Sequence, residues 1–368
     1  MEIEGTEGVP RWDGSRLALS GPERMTARRR LTLVAPGHGR RDAVPPETVL
    51  LGLPIIRRTV LAARRAGFDR VLVAGASPDG PVGRSLQGTP AELLPVGSAL
   101  PPDAVLLPWN VVLRTRELKE LANGRAPSGL GVPVESAADI ARAETWLLKG
   151  LIKDTEGILS RHVHRKISLA ISRRLAATRV TPNGMTLVSV AVGLVGALFF
   201  LSPQASGQTA GALLFLLHSI LDGCDGELAR LKFQESRSGG LLDFWGDNVV
   251  HSAVFIAIAV GWSLSAGAPW PLLLGAAAVA GALASAAFVY RETMAGPKEG
   301  PLFTSVAMTE TPVSRVADAL ARRDFIYLVL ALSLFGKANW FLGLSAVGAP
   351  LYFVVLVALR RRPERKTT

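Results

Sequence analysis

Residues 221 to 250 read LDGCDGELARLKFQESRSGGLLDFWGDNVV, and on either side of them the chain is strongly apolar. Asp222, Asp225, Asp243 and Asp247 follow one another at steps of three, eighteen and four residues inside segments of membrane-grade hydrophobicity. A carboxylate near a bilayer centre costs roughly 2.5 to 3.5 kcal/mol even on the lenient insertion scale, so four would cost on the order of 10 kcal/mol. Such a set is retained for chemistry rather than by accident. On a helix, Asp222, Asp225, Gly226 and Ala229 share one face whose small residues leave room for a bound group. After the polar turn KFQESRS, the four-residue steps of Gly239, Asp243 and Asp247 put a glycine and two more carboxylates on one stripe of the next helix. The two helices are expected to face each other as a hairpin.

Unpaired anions held so close together repel one another. The basic residues within the stretch, Arg230, Lys232 and Arg237, stand toward its polar end, so divalent cations are the natural partner. Hard oxygen ligands without a Cys or His cluster favour Mg²⁺, Mn²⁺ or Ca²⁺ over Zn²⁺. Four carboxylates suffice for a two-metal site acting on a phosphoryl group. The stretch resembles the signature of the CDP-alcohol phosphotransferase family, D-x2-D-G-x2-A-R, eight or nine residues, then G-x3-D-x3-D. Asp222, Asp225, Gly226, Ala229, Arg230, Gly239, Asp243 and Asp247 fill every fixed position, with a gap of eight residues. Polar side chains that merely glue transmembrane helices together would not reproduce eight positions.

The resemblance implies two Mg²⁺ or Mn²⁺ ions on Asp222, Asp225, Asp243 and Asp247. It implies that Gly226, Ala229, Arg230 and Gly239 receive the CDP moiety, and that Asp247 acts as general base on an acceptor hydroxyl. Products would be CMP and a phosphodiester, either a phospholipid or an inositol-type soluble diester. Homodimerisation is implied on the same ground.

Outward from the motif, length and composition describe a membrane enzyme with a soluble appendage. The 368 residues are 49% hydrophobic, with apolar content concentrated after about residue 184. Six segments approach the length a bilayer requires: 184–202, 209–228, 240–265, 270–290, 325–343 and 345–359. With the N-terminus inside, the outer loops SPQASGQTAG and SAGAPW carry no Lys or Arg, and the third holds only Lys337. The inner side carries ATR, RLKFQESR, the RETMAGPKEG to ALARRD connection and RRRPERK, so the positive-inside rule puts the motif at the cytoplasmic face of the cell membrane. The formal net charge of +11 is explained by this topology and not by nucleic-acid binding. Cys224, the single cysteine, permits no intrachain disulfide and is expected to pack. The N-terminus lacks the apolar core of a signal peptide.

Residues 151–183 are expected to lie on the membrane surface as a basic amphipathic stretch, with Leu151, Ile158, Leu159, Ile167 and Leu169 among charged residues. Pro182, Asn183 and Thr186 resemble the P-N-x-x-T entry to the first span in some family members. By that resemblance Asn183 touches the nucleotide; from spacing alone it is a helix cap. Arg165, Lys166, Arg237 and Arg291 are candidate anion contacts for the acceptor, set against ordinary contacts with headgroups or solvent. His251, four residues beyond Asp247, is expected to pack.

Upstream, residues 30–150 read as a small cytoplasmic α/β domain of Rossmann-like order. RLTLVAP, RVLVAGA and AVLLPWNVVL are expected strands, and ETVLLGLPIIRRTVLAARRAGF is the amphipathic stretch between the first two. LLGLPIIRRTVLAARRAGFDRVLVAG resembles the segment after the signature loop of sugar-phosphate nucleotidyltransferases. The loop APGHGRRDA is incomplete by that pattern, and Trp109 and Asn110 stand where a ligating Asp is expected. The domain is therefore expected to be inactive, with His38 solvated. The fusion resembles bifunctional inositol-phosphate cytidylyltransferase/di-inositol phosphate phosphate synthases, to whose joining segment KDTEGILSRHVHRKIS is similar.

The fold class expected is thus a mainly α integral membrane protein. Residues 1–29 form a disordered N-terminus, 30–150 the α/β domain, 151–183 the interfacial linker, 184–360 a catalytic bundle of six transmembrane helices, and 361–368 a basic tail. The partners expected are a CDP-alcohol donor such as CDP-diacylglycerol, a small polyol or alcohol-phosphate acceptor, and the lipid bilayer. CDP-inositol is the alternative donor. A cation-binding transporter or a membrane-anchored scaffold are the readings of another class; no inverted repeat supports the first, and the intact motif opposes the second.

Overall fold

The structure is a computed structural model that describes residues 30–34, 44–99, 101, 104–129, 131–152, 164–295 and 325–360. The segments 1–29 and 361–368, the loop 35–43 with His38, and most of the joining segment lie outside the described residues. The chain divides into two compact units. One comprises residues 1–151 with 176–178 and 231–233, the other residues 152–175, 179–230 and 234–368.

In the first unit four strands run parallel: β1 (Arg30–Val34), β4 (Arg70–Ala74), β5 (Ala91–Leu94) and β6 (Val105–Pro108), in the order β5-β4-β1-β6. Leu31 sits opposite Val71 on one side and Val105 on the other, so β1 is central. Leu31, Thr32 and Leu33 are fully buried, as expected of a parallel strand covered on both faces. Helix α1 (Ile55–Ala66) connects β1 to β4 and buries Ile56, Val60 and Ala63. It stops at Gly67, whose φ of 100° suits the left-handed position that ends a helix.

Two expectations for this unit need correction. The amphipathic stretch from Glu47 is not helical throughout. Its first part forms a hairpin of β2 (Val49–Leu50) and β3 (Leu53–Pro54), turning through Leu51 (φ 47°) and Gly52 (φ 80°). Paired positive φ values are what a two-residue hairpin demands. Arg58 holds the turn from α1, its Nη2 donating to the carbonyls of Leu50 (2.8 Å) and Leu51 (3.0 Å). AVLLPWNVVL is likewise not one strand. It breaks at Trp109–Asn110, and β7 (Val111–Val112) pairs antiparallel with β8 (Val132–Pro133). Helices α2 (Pro81–Ser85), α3 (Thr115–Ala122) and α4 (Ala137–Lys149) complete the unit.

The second unit is helical: α5 (Arg165–Ala176), α6 (Pro182–Phe199), α7 (Ala205–Lys232), α8 (Arg237–Ala266), α9 (Trp270–Val289, continued by a π turn to Met294), α10 (Phe325–Leu334) and α11 (Ala338–Arg360). Four helices among the described residues are long and apolar enough to cross a membrane, Pro182–Phe199, Arg237–Ala266, Trp270–Met294 and Ala338–Ala358. Helix α7 is long enough at 28 residues, but its second half carries the polar motif. The expected break between the last two segments is misplaced. It falls at Gly336 (φ 66°), which ends α10, instead of near residue 344.

Small residues set the spacing of the bundle. A Cβ on Gly196 of α6 would lie 2.9 Å from Leu214 Cβ, and one on Gly211 of α7 would lie 2.9 Å from the Gly196 carbonyl, so the two backbones cross there. Gly281 of α9 meets Pro350 inside α11, where an added Cβ would come within 2.4 Å of the proline nitrogen. Phe200, Phe215, Val250, Val254 and Ile258 fill the centre.

Candidate active site

Thr181 caps α6, accepting the Gly184 N–H at 3.1 Å, with Pro182 in the first turn where a missing N–H costs nothing. The cap is therefore Thr181, not Asn183, which stands exposed one residue past Pro182. Ser236 caps α8 in the same manner, accepting from Gly239 N at 3.0 Å. The polar turn between α7 and α8 passes through Phe233 at φ 57°.

Carboxylate oxygens of Asp222, Asp225 and Asp243 all lie within 4.8 Å of one another. Asp222 and Asp225 are buried, and Asp243 is half-buried. Thr186 Oγ1, on α6, donates to Asp225 Oδ2, so three helices converge on the group. Oδ1 of Asp243 is buried and has no hydrogen-bond partner among the described residues. Three clustered carboxylates with one orphaned oxygen fit a hard divalent cation, which takes oxygen ligands and compensates their mutual repulsion.

Asp247 stands apart from that triad. Its Oδ1 lies 3.5 Å from Nε2 of His218, and its side chain is the more exposed of the pair, 23% against 2%. Asp247 and Asp222 border one small cavity with His218, Ser219, His251 and Ile326. His251 packs edge-on against Phe215 and Phe325, at centroid distances of 5.5 and 5.6 Å. His218 went unremarked in the sequence, although it precedes Asp222 by four residues and so lies on the same helical stripe. An imidazole in so apolar a run was the available signal.

The residues assigned to CDP fall into two pairs. Arg230 folds back over Gly226, its Nη1 3.3 Å from where a Cβ would stand, and Ala229 is buried beside it. Gly239 lies against Asn183, whose Oδ1 would be 2.8 Å from an added Cβ. Each glycine thus lets the end of a side chain approach closely.

Of the four acceptor candidates, Arg165 and Arg237 are engaged in internal bonds. Arg165 Nη1 donates to Oε1 of Glu227 at 2.7 Å, and Ser168 Oγ donates to the same oxygen at 2.7 Å. Glu227 is fully buried, so Arg165 serves an internal ion pair. Arg237 donates to the Met294 carbonyl at the end of the π turn. Lys166 and Arg291 are exposed. The face that α5 buries consists of Ser168, Ser172 and Ala176, whereas Ile167 is 43% exposed. Cys224 is buried, its thiol directed at the Ser168 and Ile220 carbonyls.

Residues 179–335 match the model of the CDP-alcohol phosphatidyltransferase family. A bifunctional IPC transferase and DIPP synthase of Thermococcus kodakarensis is 41% identical over 132 residues, covering 35% of this chain and 29% of the relative. The protein of the same name from Rubrobacter xylanophilus is 36% identical over 148 residues, covering 39% of this chain and 33% of the relative. The matched stretches thus span between 25% and 33% of the length of these curated relatives. Among solved structures, a phosphatidylinositol phosphate synthase of Mycobacterium tuberculosis with CDP-DAG bound aligns at 19% identity and a TM-score of 0.38, covering 52% of this chain and 92% of that one. The motif and the clustered carboxylates both lie within residues 179–335, the stretch that matches the family model.

Proposed function

We propose that the chain transfers a phosphoalcohol group from a CDP-alcohol to an acceptor hydroxyl and releases CMP, in a cation-dependent reaction. The observation that carries this reading is the triad of Asp222, Asp225 and Asp243 next to a fourth, more exposed carboxylate, Asp247, on helices of a matched family domain. A divalent cation on the triad supplies positive charge to the donor pyrophosphate and to the charge that develops on transfer. We assign Mg²⁺ or Mn²⁺ to it, and keep Asp247 for the acceptor proton.

The chain's own residues do the rest. Gly226 and Gly239 admit the CDP moiety at close range, flanked by Ala229 and Asn183, and the Arg230 guanidinium neutralises a phosphate. Asp247 takes the proton of the acceptor hydroxyl as its oxygen attacks the phosphorus bearing the alcohol. The P–O bond to CMP breaks, and CMP leaves with that bond's electron pair. Lys166 and Arg291, both exposed, remain the cations free to meet an anionic acceptor from solution, in preference to Arg165 and Arg237 with their internal bonds.

The same reading extends to the assembly. Helices α6 to α11 form a six-span bundle with the motif at the cytoplasmic face, as the distribution of Lys and Arg supports. Residues 30–150 form a Rossmann-like domain that no longer transfers nucleotides, and the working unit is a homodimer. Relatives named archaetidylinositol phosphate synthase and phosphatidylinositol phosphate synthase support an inositol-type acceptor or donor.

The test is CMP release by purified protein with Mg²⁺ or Mn²⁺. CDP-diacylglycerol and CDP-inositol serve in turn as donor, against inositol, inositol phosphate, glycerol phosphate and serine, beside Asp247→Asn. Release that requires one acceptor and disappears in the variant is the expected result and names the product class. Silence with both donors removes the transferase reading.

A further inference from the structure

We infer that His218 is the positioning residue for Asp247, holding the base carboxylate apart from the cation-binding triad. This rests on the transferase reading given above. Nδ1 of His218 is 2.9 Å from the Ser189 carbonyl. A carbonyl only accepts, so Nδ1 carries hydrogen and donates; Nε2 is left for Asp247, and since a bare Nε2 and a carboxylate both only accept, that contact is held by a proton between them. Nε2 meets Asp247 Oδ1 at 3.5 Å. Contacts of that length between catalytic groups are common before substrate binds.

The ring has little freedom to point elsewhere. It is 2% exposed and stacked on Phe215, with centroids 6.0 Å apart and planes inclined by 14°. Gly193 of α6 leaves only the space the ring needs, since an added Cβ there would lie 3.0 Å from His218 Cγ. The imidazole is thus anchored on α6 through Ser189, carried by α7, and aimed at α8. Asp247 is the one motif carboxylate whose oxygens do not join the group within 4.8 Å, and it is the one that His218 faces. A base that strayed onto the cation would be lost to the acceptor hydroxyl.

The experiment compares wild type, His218→Phe and His218→Gln in the CMP-release assay, with Asp247→Asn as reference. Phe keeps the volume and drops both nitrogens, whereas Gln retains an amide able to reach Asp247. The expected result is a kcat lowered by about a hundredfold in His218→Phe, the scale of a small misplacement of a catalytic group. The donor KM and the half-activating Mn²⁺ concentration stay unchanged, and His218→Gln recovers most of the loss. Equal kcat in wild type and a folded His218→Phe overturns the inference while leaving the transferase intact. A loss that follows Mn²⁺ activation instead of kcat also overturns it, because His218 would then serve the triad.

A readout without turnover covers the case in which wild type releases no CMP and the transferase reading itself fails. In protein labelled with ¹⁵N-histidine, the His218 Nε2 resonance is identified by its loss in His218→Gln. It is expected to move when Asp247 becomes Asn, and an unmoved resonance overturns the pairing.

Discussion

Thr186 on α6 donates its hydroxyl to Oδ2 of Asp225 on α7, and both side chains are buried. The bond orients one oxygen of a triad carboxylate while the other accepts the Gly226 N–H, and such outer partners fix how a carboxylate meets a metal. Thr186→Val removes the hydroxyl with little change of volume. It is expected to raise the half-activating Mn²⁺ concentration by about tenfold or more, whereas Thr186→Ser retains the wild-type value. Manganese titration of CMP release in the two variants checks this, and equal values for Val and Ser would refute it.

Arg165 and Glu227 form the second such relationship, at 2.7 Å with Glu227 fully buried. Breaking one partner of a buried pair leaves an uncompensated charge and costs about 3 to 5 kcal/mol. Arg165→Ala is therefore expected to lower the thermal midpoint of the detergent-solubilised protein, and Glu227→Gln to restore part of that loss in the double variant. An acceptor contact at Arg165 would behave differently. It would raise the acceptor KM and leave the midpoint alone.

Gly239 and Asn183 meet so closely that a methyl group at residue 239 would stand 2.8 Å from Asn183 Oδ1 and 2.9 Å from Ser236 Oγ. Both obstacles are ends of side chains that can swing aside, so Gly239→Ala is expected to fold. What it displaces is Asn183, together with the space that the proposed function gives to CDP. The donor KM should rise by about tenfold, the effect of roughly 1.4 kcal/mol of lost binding, with the midpoint near wild type. An unchanged KM would remove Asn183 and Gly239 from the donor site.

The four carboxylates were legible as a set because their cost in a membrane is so large that periodicity alone isolates them, steps of three and four residues putting each pair on one face, but that Asp247 stands outside the group within 4.8 Å was not. His218 escaped because a lone imidazole in an apolar run has no spacing rule of its own. Its meaning comes from Ser189 and Asp247, which belong to other helices. The ion pair of Arg165 escaped for a related reason. Sequence shows a cation near the motif, but the buried carboxylate that receives it occupies a variable position of that motif, Glu227. In the first unit the strands announced themselves as apolar runs, while the hairpin at Leu51–Gly52 did not, since Leu rarely adopts a positive φ and here depends on Arg58 from the next helix.

Asp243 gives the most direct test of a cation without turnover. Its Oδ1 is buried and without a hydrogen-bond partner among the described residues, and oxygens of Asp222 and Asp225 lie within 4.8 Å. Without a cation the three carboxylates repel one another, and any ion that binds only the folded state stabilises it by mass action. At a concentration of about a hundred times Kd that gain is about 2.7 kcal/mol. Wild type in Mn²⁺ is therefore expected to unfold at a distinctly higher temperature than in a chelator. Asp243→Asn should lose most of that difference, and in the chelator it should unfold above wild type because one of the repelling charges is gone. The same Mn²⁺-induced rise in both proteins would mean that the ion binds elsewhere, and a variant that unfolds below wild type in chelator would mean that Asp243 is held by something other than a cation.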